Sequence, residues 1–255
     1  MKKMTVFLTF LVFGLLFFGS AESYQDSTEV VLVDKVQFAV IVVKQLPGDI
    51  SRQVLSVDHS YYGQWEESLG ENVFAEPGID NRKVLKAGYA GQEDVYFPAY
   101  DWKSNRSIIF SFNIGGASLS SVYIPDPYIH GLSLDEEENV YVLAFNGYSP
   151  IYNLYKIKKQ EKKVKLVGSF PMLVDFKFGS EMVGKHDTIL SHLITILDTS
   201  NNLRMYRINK KLELVYQTRV PSAPKIQIVS ANIHDGVEYV ACDIRQYQFE
   251  KIRKK

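Results

Sequence analysis

Six side chains in this 255-residue sequence combine ligand-binding types with related spacing: Tyr100, Asp101, Asp126, Tyr128, His130 and Asp175. Pro98-Ala99-Tyr100-Asp101 and Pro171-Met172-Leu173-Val174-Asp175 each set an acid shortly after a proline. Tyrosine offers a large apolar area and one hydroxyl, while Asp and His add directional hydrogen bonds or metal ligation. Placed just before the innermost strands of a ring of sheets, these residues would converge on one face and bind a sugar, a peptide or a metal. The competing reading is structural: the prolines end outer strands and the acids cap turns.

Other chemistry is sparse. The histidines, at 59, 130, 186, 192 and 234, show no metal-ligand spacing with one another or with Cys242. His192 lies in an apolar run and reads as a satisfied core or interface residue, and His186 and His234 sit beside Asp187 and Asp235 in turns. No nucleophile elbow, P-loop or dinucleotide fingerprint is present. The run Asp135-Glu136-Glu137-Glu138 lacks the spaced ligands and turn glycine of a calcium loop and reads as a solvated hairpin turn. No cofactor is expected; a divalent metal in a central channel is the alternative.

The elements that must position these residues are strands. Aromatics make up 13% of the chain, in a sequence rich in Val and Ile, which favours sheet. Lys+Arg and Asp+Glu both number 29, so the basic surface needed for nucleic-acid binding is missing. With one Cys there is no internal disulfide, and the fold rests on packing. Lys2 and Lys3, the uncharged apolar residues 4–19 and the small residues Gly19-Ser20-Ala21 order themselves as a secretory signal peptide, cleaved after Ala21. The expected organisation is a signal at 1–21 and one domain at 22–255, exported to the periplasm or outside the cell, with no membrane span after cleavage.

The chain also repeats. Leu154-Tyr155-Lys156-Ile157, Val164-Lys165-Leu166-Val167 and Pro171 are echoed by Met205-Tyr206-Arg207-Ile208, Leu212-Glu213-Leu214-Val215 and Pro221. Ahead of the first copy stand Gly131-Leu132-Ser133-Leu134-Asp135 and Asn139-Val140-Tyr141-Val142-Leu143. Together they make a four-stranded meander of about 45 residues, the size of one propeller blade. Phe97–Pro125 reads as a shortened blade. Lys185–Leu197 carries a helical apolar face, but the repeat assigns it to a strand. Gln64–Gly78 has room for a short helix.

The stretch from Gly131 to Val142, with Leu154–Ile157 after it, resembles a blade of the NHL-type and related six-bladed propellers. This implies an all-β fold, a single β-propeller of four-stranded blades. Chain length gives about five blades, within four to six. The C-terminus stops at Phe249-Glu250-Lys251-Ile252, one strand short, so Glu29–Val33 is expected to close the last blade. Two small β-sandwiches are the alternative.

The function expected is a secreted or periplasmic binding or interaction module, with a protein, peptide or carbohydrate ligand at one face. A propeller enzyme is an alternative, as some relatives of the resemblance are metal-dependent lactonases and glycan-cleaving propellers form another class. A subunit of a cell-envelope assembly is a third.

Overall fold

A computed structural model describes residues 30–34, 39–46, 48–59, 63–75, 85–87, 94–113, 118–159, 163–208, 211–221 and 226–243. The signal segment, Gly115–Ala117 and Phe249–Ile252 lie outside these residues.

Every regular element described is a strand. The first sheet runs β1 (Val30–Asp34), β2 (Ala39–Leu46), β3 (Asp49–His59) and β4 (Gly63–Glu71), in chain order. The second has β5 (Val73–Ala75) and β6 (Leu85–Ala87) sharing one edge of β7 (Asp94–Asp101), followed by β8 (Arg106–Asn113) and β9 (Ser118–Ile124). The third is β10 (Tyr128–Leu134), β11 (Val140–Phe145), β12 (Ile151–Ile157) and β13 (Val164–Pro171). The fourth is β14 (Leu173–Val183), β15 (Thr188–Asp198), β16 (Asn202–Ile208) and β17 (Leu212–Arg219). A last hairpin, β18 (Gln227–His234) and β19 (Val237–Asp243), joins β14 through a short parallel contact at Glu181 and Met182.

Each sheet packs on the next through its own apolar layer, and β11 shows how. Its alternate residues Val140, Val142 and Ala144 lie in a cluster with Tyr96 and Ile109 of the second sheet. Tyr141 and Leu143 lie in another cluster with Ile194 and Ile196 of the fourth. A strand buried on both faces must be apolar at every position, which is why NVYVLAF shows no alternation. Antiparallel meanders stacked face to face are the blades of a β-propeller. Four such sheets are described, the fourth extended at β14 by the β18–β19 hairpin.

The repeat seen in sequence is a repeat of backbone detail. The β12–β13 ladder shifts register between Leu154 and Tyr155, and the β16–β17 ladder between Met205 and Tyr206, the matching positions. Gly179 stands where β14 meets β18: a Cβ there would lie 1.9 Å from the Ala231 carbonyl oxygen. Close backbone approach of this kind excludes any larger residue.

Two expectations change in detail, and a third falls partly outside the described residues. Residues 63–71 and 73–75 are strands, so no helix occupies that part of Gln64–Gly78. Phe97–Asp101 falls on the second strand of its sheet, since β5 and β6 supply the first. β1 forms an edge of the first sheet by pairing with β2, and its expected partner Phe249–Ile252 is outside the described residues. Lys185–Leu197 is strand β15 from Thr188 onward, as the repeat requires.

His192 sits between the third and fourth sheets, stacked between Tyr141 and Phe178 with its Nε2 2.6 Å from the Ser133 hydroxyl oxygen. Its Nδ1 is buried without a partner, so the interface placement holds and full satisfaction does not. Among the described residues, no helix is long and apolar enough to cross a membrane.

Candidate functional site

In a meander, alternate turns share an end. One end of the sheets therefore gathers the turns after β7, β11 and β15 and the links between sheets. Its backbone is stitched. The N–H of Asn72 donates to Ser51 and its carbonyl accepts from Trp102; Met172 likewise donates to Pro150 and accepts from Thr199. Both link residues have positive φ, 60° and 52°, which aims their N–H and carbonyl at neighbouring turns on either side.

Acids hold this end together. Asp101 closes the turn after β7: one carboxylate oxygen accepts the N–H groups of Lys103 (2.9 Å) and Ser104 (3.2 Å), the other the hydroxyls of Ser104 (2.6 Å) and Tyr123 (3.3 Å). Burial alone would raise its pKa, but these donors outweigh it and hold the carboxyl below its ordinary value. Asp198 repeats the device after β15, with donors from Ser200 and Asn202. Asp126, buried in the link between the second and third sheets, accepts from Asn153 Nδ2 (2.7 Å) and the Tyr155 hydroxyl (2.8 Å). Burial and that carboxylate both push the Tyr155 phenol up. Asp175, on β14, accepts the Ile228 N–H at 2.5 Å and ties the last hairpin to the fourth sheet. All three acids among the sequence candidates are thus acceptors for the scaffold, and of them Asp101 closes a turn.

The aromatic candidates come together. Tyr128 starts β10, Phe145 ends β11 and Tyr152 is near the start of β12; they are direct cross-strand neighbours. Their ring centroids are 6.4 Å (Tyr128 to Phe145) and 5.0 Å (Phe145 to Tyr152) apart. His130 leans edge-on against Phe145 and Tyr152, at 6.1 and 5.0 Å. From the second sheet, Tyr100 stacks parallel to Tyr128 at 6.3 Å, and Trp102 meets Tyr100 edge-on at 4.9 Å. A row of six rings thus crosses from one sheet to the next. Trp102 is 68% exposed and Tyr128 50%.

Local chemistry lifts this row into solvent. Asn146 Oδ1 accepts the N–H groups of Tyr148 and Ser149, closing the turn after β11 and leaving Tyr148 92% exposed. Gly147, at φ 81°, lies against Tyr128; a Cβ there would stand 2.8 Å from the Tyr128 ring. The Tyr100 hydroxyl donates to Asn105 Oδ1. Burial, then Tyr128, Tyr148 and Asp101, raise the Tyr100 phenol, which stays a neutral donor.

Sequence reasoning finds Tyr100, Tyr128 and His130 and misses Trp102, Phe145, Tyr148 and Tyr152. The signal was available. Folding the β11–β12 hairpin about Asn146–Pro150 sets Phe145 opposite Tyr152, and the next strand back sets Tyr128 opposite Phe145. Tyr100 and Asp101 reach this end because they finish a second strand, rather than because they precede a first one.

No protein-family model matches the chain, and no curated protein matches it. Among solved structures, the Dos1 propeller is similar at 12% identity and a TM-score of 0.48, over 84% of this chain and 53% of that one. The β-propeller domain of the Trilobed protease from Pyrococcus furiosus is similar at 10% identity and 0.44, over 81% and 76%. A mutant of AofleA from Arthrobotrys oligospora is similar at 11% and 0.41, over 85% and 64%. The chain spans less than two thirds of the length of Dos1 and of this AofleA mutant.

Proposed function

We propose that this protein is an exported binding module that holds an extended ligand, a peptide or a carbohydrate chain, along its aromatic row. One observation carries the reading: Trp102, Tyr100, Tyr128, Phe145, Tyr152 and His130 form a continuous run of rings across two sheets, solvent-exposed at Trp102 and Tyr128. Contiguous exposed apolar area on a soluble protein marks interaction sites. Tyr and Trp supply rigid contact area with few rotatable bonds, and their polar atoms accept partial hydration when no ligand is bound. The acids beneath the row already have their donors, so what the row offers a ligand is stacking and neutral hydrogen bonds.

Export is supported by the order of residues 1–21, charged, then apolar, then small. The Gly131–Asp135 and Asn139–Val142 motif supports placing the chain near NHL-type propellers. Arrays of glycans and of peptides test the binding reading: a hit that Trp102→Ala and Tyr128→Ala both weaken supports it, and hits indifferent to both variants reject it.

A further inference from the structure

We propose that the cleft between the second and third sheets, at the end opposite the aromatic row, is a separate site for one small neutral polyhydroxylated molecule of monosaccharide size. The cleft has a volume of about 180 Å³, room for roughly six waters. Its floor is apolar: Ile109 and Val122 come from the second sheet, Val140 and Ile157 from the third. Its walls are polar.

Tyr96 is the first. It lines the cleft, is only 6% exposed, and its hydroxyl makes no hydrogen bond among the described residues. Burial, with the Asp94 carboxylate nearby, pushes its pKa up to about 12, so it remains a donor at any physiological pH. The hydroxyl faces the cleft with no acceptor among the described residues, and a ligand oxygen can take its proton in a hydrogen bond. The other walls define that ligand. Ser111 and Ser120 bond to each other at 2.7 Å and the Ser120 hydroxyl also reaches the Ser111 carbonyl, which leaves both oxygens as acceptors. Asp94 accepts from Asn113 Nδ2 at 2.9 Å and pairs with Lys159 at 3.2 Å, and Lys159 also pairs with Glu138.

Lys158, which also lines the cleft, is engaged as well, so the charges at the mouth are already committed to partners. An anion would have to take Lys159 from two carboxylates, and a cation would have to take a carboxylate from Lys159. A neutral molecule needs neither. It must accept from Tyr96, donate to Ser111, Ser120 or Asp94, and turn a C–H face to the four aliphatic side chains. Those requirements together describe a sugar-like polyol. They are independent of what binds the aromatic row.

The test is titration of the whole exported chain with a panel of neutral monosaccharides, followed by saturation-transfer NMR and calorimetry. Amino acids, a uronic acid and an amino sugar serve as charged comparisons. The expected result is saturable binding of at least one neutral sugar. Tyr96→Phe should weaken it about tenfold, the value of a hydrogen bond at the upper end for uncharged partners, at an unchanged melting temperature. Trp102→Ala should leave it unchanged. Ser120→Ala serves as the second variant if Tyr96→Phe does not fold. Absence of saturable binding for every neutral sugar overturns the proposal, as does equal binding by the Tyr96 or Ser120 variant. Tighter binding of an amino acid, uronic acid or amino sugar overturns the ligand class. Weakening by Trp102→Ala would move the sugar to the aromatic row and remove the second site.

Discussion

At one end of the sheets, rings lie open over acids that are already satisfied; at the other, acids and bases meet across the gaps between strands and sheets. Asp101 and Asp126 accept from backbone N–H groups, hydroxyls and an amide, and Asp198 adds an ion pair with Arg204 to its donors from Ser200 and Asn202, so these carboxylates are engaged with the scaffold. The opposite end runs mainly on ion pairs: Lys156 with Asp135, Lys159 with Asp94 and Glu138, Arg207 with Glu181 and Glu213. The difference separates labour. Buried carboxylates at the aromatic end carry structure, so the rings above them are dispensable for folding. At the charged end the same side chains both join the sheets and shape the cleft.

The largest predicted effect breaks the aromatic end from below. Asp126→Ala leaves the Tyr155 hydroxyl and the Asn153 amide without their acceptor. Stranding buried polar groups costs about 1–3 kcal/mol each, or a fall in melting temperature of several degrees for a chain of this size. Thermal denaturation followed by circular dichroism checks this; an unchanged midpoint would mean that Asp126 does not hold the link.

Acid should act on the two ends together and on the packing between the third and fourth sheets earlier. Hydrogen bonds overcome burial to lower the carboxyls of Asp101 and Asp198 at one end and Asp135 at the other. Depressed carboxylates contribute stability above their unfolded pKa, which is lost as pH falls below about 4 through the folded values. His192 behaves differently. Burial lowers its pKa, so the unfolded chain binds the proton first, and stability should already decline below about pH 6.5. Denaturant melts across pH should show both phases. His192→Phe should flatten the upper one and leave the lower one, whereas an unaltered upper phase would assign it elsewhere.

Removing rings from above should barely register in stability. Tyr128→Ala alters a half-exposed residue, and its effect should stay within about 1 kcal/mol, while binding of an aromatic-row ligand should fall about tenfold or more. A collapse of the fold in this variant would make Tyr128 a core residue. The smallest effect belongs to the charged end: Glu138→Gln removes one half-exposed ion pair, worth under about 1 kcal/mol, and further reduced by salt.

The sequence carried the strands and the repeat well because both follow from side-chain patterns. NVYVLAF reads as a strand, and the Tyr155 and Tyr206 copies each read as a hairpin. It carried the site less well. Tyr100, Tyr128 and His130 stood out by type, but their partnership with Phe145 and Tyr152 depends on hairpin register, and with Trp102 on how two sheets abut. For the acids the sequence left both readings open, because an Asp closing a turn and an Asp facing a ligand look alike until their donors are known. Tyr96 was invisible: within the apolar run of β7, nothing marks the residue whose hydroxyl has no acceptor among the described residues.

The account rests on the aromatic row being where a ligand sits, and the two tryptophans allow a direct measurement. Trp65 packs against the core of the first two sheets, whereas Trp102 stands exposed beside Tyr100. In a Trp65→Phe variant, Trp102 is the single indole reporter. Titration with a ligand identified on the arrays should shift its emission to shorter wavelength, saturating at the same concentration as binding measured by calorimetry. Emission that stays constant while calorimetry shows saturation would place the ligand elsewhere and contradict the account.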